Sequence, residues 1–331
     1  MTKKYQVVGI GNAMVDILAH VEDDFLTAHG VEKGIMQLID TERANQLYGV
    51  MGPATEISGG SAANTIAGLA SLGMNTAYVS KVKNDQLGGI FSHDIKAQGA
   101  DFDTPLAAPD HAAETGRCMV LVSPDGERSM NTYLGVSEFI APDDIDEGIM
   151  ADADWLYLEG YRFDGPESHA AFAKAIAACK GAGGRVSITL SDPFCVERHR
   201  DAFLEMIRED VDLLFCNEHE IMSLYQTDDL SVAMALGAAD VAILACTVGE
   251  RGAYVAQSGE EVHAPATATH VEDATGAGDL FAAGFLYGLT SGRDYLTCGR
   301  MGCVAAGEII SHIGARPEAD LMDLFAAEGL V

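Results

Sequence analysis

The sequence predicts an α/β fold built around a mostly parallel sheet, and two observations carry that prediction. Short apolar runs of strand length recur along the chain with helical stretches between them. Such alternation specifies parallel strands joined by right-handed crossovers. The second observation is a glycine-rich turn, Asp273-Ala274-Thr275-Gly276-Ala277-Gly278-Asp279, just ahead of apolar residues at helical spacing (Leu280, Phe281, Phe285, Leu289). Ligands of open α/β sheets gather at turns that open a helix. With 331 residues, 48% hydrophobic, and no internal repeat or low-complexity linker, the chain can bury one large core carrying an inserted element.

The elements follow in order. Gln6–Ile10 reads as a buried strand that runs into Gly11-Asn12-Ala13-Met14-Val15-Asp16-Ile17. Gly9 and Gly11 suggest a dinucleotide fingerprint, but Met14 stands where its third glycine belongs. Ile17–Val21 and Gly34–Ile39 read as strands around an acidic, His-containing connection, and Asp40–Met51 as a helix with Thr41 as its N-cap. In Gly59-Gly60-Ser61-Ala62-Ala63-Asn64 two glycines permit close backbone approach, and Asn64 offers both a donor and an acceptor. Ala63 replaces the glycine a nucleophile elbow needs, which disfavours a serine hydrolase. A helix over Thr65–Leu72 ends at Gly73.

Thr76–Ser80 is a strand, followed by a helix to Gln98. Gly116–Val122 and Arg128–Leu134 flank a turn at Pro124–Glu127 and read as a hairpin. Trp155–Gly160, Arg185–Leu190, Val211–Cys216 and Val241–Cys246 are further strands, with an alanine-rich helix over Ser168–Cys179 after the first. Asn217-Glu218-His219-Glu220 follows the third of these, with Asn217 placed to cap a helix. Zinc is disfavoured there because HExxH is absent. Thr247–Gly252 is a tight turn, and Tyr295–Ser311 reads as the last apolar helix. No GxxxxGK[ST] run occurs, so a nucleotide would not be held by a P-loop.

The net charge of −30, from 50 acidic and 20 basic residues, excludes a nucleic-acid surface. It fits a soluble acidic surface, and a salty habitat is left open. Seven scattered cysteines, odd in number and without CxxC, imply reduced thiols and a cytoplasmic protein rather than disulfides or zinc. The start, Met1-Thr2-Lys3-Lys4-Tyr5, has no apolar h-region, and no apolar run approaches a membrane span.

The chemistry concentrates at the second glycine turn. A helix N-terminus gathers unpaired N–H donors and about +0.5 charge, so Gly276, Ala277 and Gly278 offer an anion site. A carboxylate at Asp279 would repel a bound phosphate, so its presence there calls for a purpose. Accepting a proton from a hydroxyl that attacks the phosphoryl group is the simplest one. An ordinary capping role for Asp279 remains the competing reading.

The strings at 273–279 and 59–64 resemble, in order, the two glycine signatures of the ribokinase-like carbohydrate kinases, the PfkB family, and the likeness spans nearly the whole chain. It implies a three-layer α/β sandwich with a small β-sheet lid: core 1–13, 41–104 and 137–331, lid 14–40 and 105–136. It also implies MgATP-dependent transfer of the γ-phosphoryl group to a primary hydroxyl, with Asp279 as base and Gly276, Ala277 and Gly278 as anion hole. By the same resemblance Asn12, Asp16, Gly59, Gly60 and Asn64 hold the acceptor, and Met36, Leu38, Met130 and Tyr133 cover it, with packing inside the lid as the competing reading for each of these four. Asn217 and Glu220 would organise Mg2+, chiefly through water. Thr247, Gly249, Gly252, Gly276 and Gly278 would contact the nucleotide. Asp273 and the loop His312-Ile313-Gly314-Ala315 would contribute to a K+ site.

The stretches Gly11–Ile17 and Met130–Gly135 are similar to the adenosine-kinase-like branch. The expected reaction is therefore adenosine to AMP, a purine-salvage step, with a free sugar such as ribose or fructose as the alternative acceptor. A non-catalytic nucleoside sensor on the same fold is a third reading, and a dinucleotide-dependent oxidoreductase is disfavoured by Met14. A homodimer is left open.

Overall fold

The computed structural model describes residues 3–331. Met1 and Thr2, the start of the expected core segment, lie outside the described residues. The strands are β1 (Tyr5–Ile10), β2 (Met14–His20), β3 (Met36–Leu38), β4 (Thr55–Gly59), β5 (Thr76–Val79), β6 (Gly116–Val122) and β7 (Arg128–Tyr133). The series continues with β8 (Ala153–Glu159), β9 (Arg185–Thr189), β10 (Leu213–Asn217), β11 (Ile243–Thr247), β12 (Ala253–Gln257) and β13 (Glu260–Ala264).

Eight of them form one sheet in the order β13-β12-β11-β10-β9-β8-β1-β5. From β11 to β5 every pairing is parallel, and β12 and β13 extend the edge as an antiparallel hairpin. The near-continuous apolar runs are explained by burial on both faces. Trp155, Tyr157, Leu213 and Phe215 point into one core with the helices Ser61–Ser71, Ala277–Thr290 and Tyr295–Ile309. Leu156, Leu158, Leu214 and Cys216 point into the other, with the helices Ser168–Gly181 and Pro193–Glu209. The three-layer sandwich expected from the sequence is therefore present. All seven cysteines are buried and unpaired. Among the described residues no helix is long and apolar enough to cross a membrane.

The other five strands pair in the order β3-β7-β6-β2-β4 and make the lid. Here the structure moves a boundary. Residues 41–59, assigned to the core from sequence, belong with the lid: β4 pairs antiparallel with β2, and the helix Thr41–Val50 packs Ala44 and Leu47 on the sheet's outer face. That helix is capped by Asp40, whose side chain accepts from the Arg43 N–H at 2.8 Å, and not by Thr41. The connection after β2 holds a short helix, Asp23–Ala28, that adds Leu26 to the same outer layer. Tyr295–Ile309 is also not the last helix, because Leu321–Ala327 follows it and buries Phe325.

Candidate active site

Parallel strands in one sheet end together, and here Asn12, Glu159, Thr189, Asn217 and Thr247 lie at or just past the C-terminal ends of β1, β8, β9, β10 and β11. With the turn 271–279 they floor a cavity of about 860 Å³, and the lid roofs it.

Asp279 sits in the first turn of the helix Ala277–Thr290, whose N-cap, Gly276, adopts φ 81° and offers no side-chain cap. The Ala277 N–H turns back to the Ala274 carbonyl at 3.3 Å and that of Leu280 closes the first helical bond at 2.9 Å, which leaves the N–H groups of Gly276, Gly278 and Asp279 without an acceptor among the described residues and beside the cavity. The anion site is thus narrower than expected, since Ala277 has an acceptor already. Oδ1 of Asp279 accepts from Ser61 Oγ at 2.6 Å and Oδ2 from Asn64 Nδ2 at 2.9 Å. Burial pushes its pKa up to about 6 against those two hydrogen bonds and the Arg316 charge. At neutral pH the carboxylate is ionised, oriented, and basic enough to take a hydroxyl proton.

Asp16, on β2, lines the same cavity, and burial also raises it to about 6, opposed by Arg316 and Arg128. The paired glycines explain themselves beside it. A Cβ on Gly59 would lie 2.4 Å from Asp16 Oδ2, and one on Gly60, at φ 98°, would lie 2.3 Å from the Asn12 carbonyl.

Other expected residues are placed differently. Asn64 spends its amide on Asp279, and its buried Oδ1 has no partner among the described residues. Asn12, 2% exposed, is bonded to Glu159, Arg162 and Ser137. Met36, Leu38 and Met130 line the cavity from the roof, and Leu38 is 44% exposed. Tyr133 does not line it. Side chains alternate along β7, so Met130 faces the cavity while Tyr133 packs with Met119 and Leu121 on the outer face. Thr247 and Gly249 line the cavity, whereas Gly252, at φ 94°, does not: its Cα abuts the Ala264 carbonyl, where a Cβ would lie at 2.1 Å.

Asn217 and Glu220 form a reciprocal capping box: Asn217 Oδ1 accepts from the Glu220 N–H at 2.9 Å, and Glu220 accepts from the Asn217 N–H at 2.9 Å. Burial raises Glu220 to about 7. Both line the cavity with their first lone pairs in use, which fits water-mediated more than direct contact with a hard cation. Asp273, with no exposed side-chain area, is paired with Arg128 and accepts from the N–H groups of Thr275 (2.9 Å) and Gly314 (3.1 Å). A guanidinium thus stands where the K+ expectation needed oxygen ligands, and this arrangement does not fit a monovalent cation on the Asp273 carboxylate.

Sequence reasoning missed Ser61, Arg128, Glu159, Arg162 and Arg316. Arg128 was within reach, because it lies two residues before Met130 and so on the same face of β7. Arg316 donates to the Ala63 carbonyl, and burial lowers its pKa to about 10. A second cavity of about 600 Å³, lined by Thr267–Thr269, Glu308 and His312, lies beside the loop that bonds Asp273.

Comparison with known proteins places this geometry. The model of the pfkB family of carbohydrate kinases matches residues 35–321. The adenosine kinase from Sinorhizobium meliloti superposes with a TM-score of 0.92 at 46% identity, covering 99% of this chain and 100% of that one. A probable sugar kinase from Rhizobium etli gives 0.94 at 46% identity, with the same coverage. The ATP-dependent ribose-1-phosphate kinase of Halopiger xanaduensis is 32% identical over 277 residues, 82% of this chain and 86% of that protein.

Proposed function

The chain belongs to the pfkB family of carbohydrate kinases and is an ATP-dependent kinase, and we propose that its acceptor is a nucleoside, adenosine, phosphorylated on its primary hydroxyl to AMP. The observation that carries this reading is the pairing of an oriented base with an apolar roof: Asp279, fixed by Ser61 and Asn64, beneath Met36, Leu38 and Met130. A purine has apolar faces that such a roof covers. A free sugar presents hydroxyls that cost energy when buried without partners. The Sinorhizobium adenosine kinase is 46% identical, and the Rhizobium probable sugar kinase equally so, which leaves the roof to decide the acceptor.

Asp16 accepts hydrogen bonds from ribose hydroxyls and holds the primary hydroxyl towards Asp279, which takes its proton as attack proceeds. The Gly278 and Asp279 N–H groups stabilise the charge developing on the transferred phosphoryl group. Asn217 and Glu220 would hold Mg2+ through water, and the ion would supply charge neutralisation for the phosphates. Arg128 reaches from the lid to Asp273, so closure brings a cation over the phosphate turn and excludes water. The second cavity, bordered by the 312–315 loop, takes the base of the donor nucleotide.

A sugar or sugar phosphate is the second reading, favoured by the Halopiger relative. The test compares kcat/KM for adenosine, inosine, ribose, fructose and ribose 1-phosphate with MgATP. Adenosine should lead, and a sugar ahead by about tenfold or more would overturn the acceptor while leaving the kinase standing.

A further inference from the structure

Among the described residues the chain passes between core and lid four times: at Gly11–Ala13 after β1, at Gly60 after β4, at Thr115 before β6, and at Leu134 after β7. The first, second and fourth crossings meet one buried polar cluster, and the third is bonded to the fourth beside it. Glu159, 1% exposed at the end of β8, accepts from the Asn12 N–H (3.2 Å), the Asn12 side-chain amide (2.8 Å) and the Ala62 N–H (2.9 Å). It thereby joins the first crossing to the second. Arg162, equally buried, donates to Asn12 Oδ1 (2.9 Å), to the carbonyls of Ser137 and Glu138, and to Ser168 Oγ (2.7 Å). It joins the first crossing to the fourth. The Val136 N–H closes the set by donating to the Glu114 carbonyl at 2.8 Å, beside the third.

Backbone packs directly on backbone at these points. A Cβ on Gly60 would meet the Asn12 carbonyl, and one on Gly135, at φ 59°, would lie 2.3 Å from the Glu114 carbonyl. An acid and a guanidinium without solvent are costly unless their hydrogen bonds are made, and an apolar pair would fill the same space more cheaply. What the ionic cluster adds is direction, because it fixes where each crossing strand leaves the core. Asn12 is its centre, bonded by both Glu159 and Arg162, which explains why it is only 2% exposed although it borders the cavity.

We infer that Glu159, Asn12 and Arg162 form the fixed pivot of the lid, with Arg162 as the positioning residue that sets the closed lid over the acceptor. The inference rests on the kinase reading, in which the lid's task is to keep water from the γ-phosphate. Loosening the pivot therefore damages acceptor binding and coupling before it damages ATP binding.

The test uses the full chain with Arg162→Met, Arg162→Lys and Ser168→Ala. In Arg162→Met the acceptor KM and the ATP hydrolysed per acceptor phosphorylated should each rise roughly tenfold, with the KM for ATP changing less than about twofold. Arg162→Lys keeps the charge without the fork and should fall between. Ser168→Ala removes an Arg162 partner outside the crossings and should couple like wild type. If Arg162→Met does not fold, Ser137→Ala, which deletes the hydroxyl shared between the Leu134 carbonyl at the fourth crossing (2.6 Å) and Asn12 Oδ1 (3.2 Å), should show the same pattern at about threefold. Hydrogen exchange needs no substrate: in the loosened variants amides of β2 and β6 should exchange faster while those of β9 to β11 do not. A folded Arg162→Met with wild-type acceptor KM and coupling, or exchange that rises equally in lid and core, overturns the pivot. Wild-type protein that phosphorylates no acceptor overturns the kinase reading instead.

Discussion

On the floor of the cavity the polar side chains around the reacting group are held by others. Ser61 and Asn64 hold Asp279, Glu220 holds Asn217, and Glu159 and Arg162 hold Asn12. On the roof, Met36, Leu38 and Met130 offer apolar surface beside the polar Asp16 and Thr132, and Arg128 reaches down to the phosphate turn. A floor fixed by hydrogen bonds preorganises the reacting groups and tolerates no substitution among them. A roof of flexible thioethers can repack, so it grades acceptors rather than performing chemistry.

The largest effect should come from the floor. Asp279→Asn preserves shape and hydrogen bonding, since Ser61 can turn its hydroxyl to accept from the new amide, but it removes the base. Turnover should fall about 10²–10⁴-fold while acceptor KM stays within about threefold. The wild-type rate should itself decline as pH drops through about 6, where burial has placed this carboxyl, and an acid limb near the ordinary aspartate value would show that burial is not acting. Stability should move the other way. A carboxyl whose folded pKa is raised binds protons more readily folded than unfolded, so its ionisation above pH 6 costs the fold. The variant should gain on the order of 1–2 kcal/mol at pH 7.5, and the gain should shrink between about pH 6 and pH 4 and vanish below about pH 4, which melting at pH 7.5 and below pH 4 reads directly.

Asp16→Ala should come next. It removes the acceptor's charged hydrogen bonds, each contributing on the order of 1.5–3 kcal/mol, and should weaken acceptor binding far more than ATP binding. Separate titrations decide, and an equal loss for both ligands would mean the fold, not the site, was damaged.

The smallest effect concerns the roof's other face. Tyr133→Leu should leave acceptor KM within about twofold and cost about 1–2 kcal/mol of stability, because that ring packs on Met119 and Leu121 away from the cavity. An acceptor KM raised several-fold would return Tyr133 to the site.

That tyrosine also marks how far the sequence could be read. The glycine turns, the parallel sheet and Asp279 were legible because each rests on local physics: a helix start without a cap, apolar runs of strand length, a carboxylate beside an anion site. Tyr133 was misplaced although the alternation of β7 separates it from Met130 by an odd step. Gly252 was read as a nucleotide contact, but its φ of 94° and its packing on Ala264 give it a structural task. Strand β4 escaped because Thr55-Glu56-Ile57-Ser58-Gly59 is short, half polar and without a strand's usual apolar alternation. The pivot residues were out of reach, since Arg162 meets Asn12 across 150 positions and no local pattern encodes such a pairing.

The comparison of floor and roof is tested most directly by one measurement: kcat/KM for adenosine and for ribose, in wild type and in Met36→Ala/Met130→Ala. If the roof selects and the floor reacts, the adenosine value should fall about tenfold or more while the ribose value stays within about threefold. Equal losses for both acceptors, or a larger loss for ribose, would contradict it.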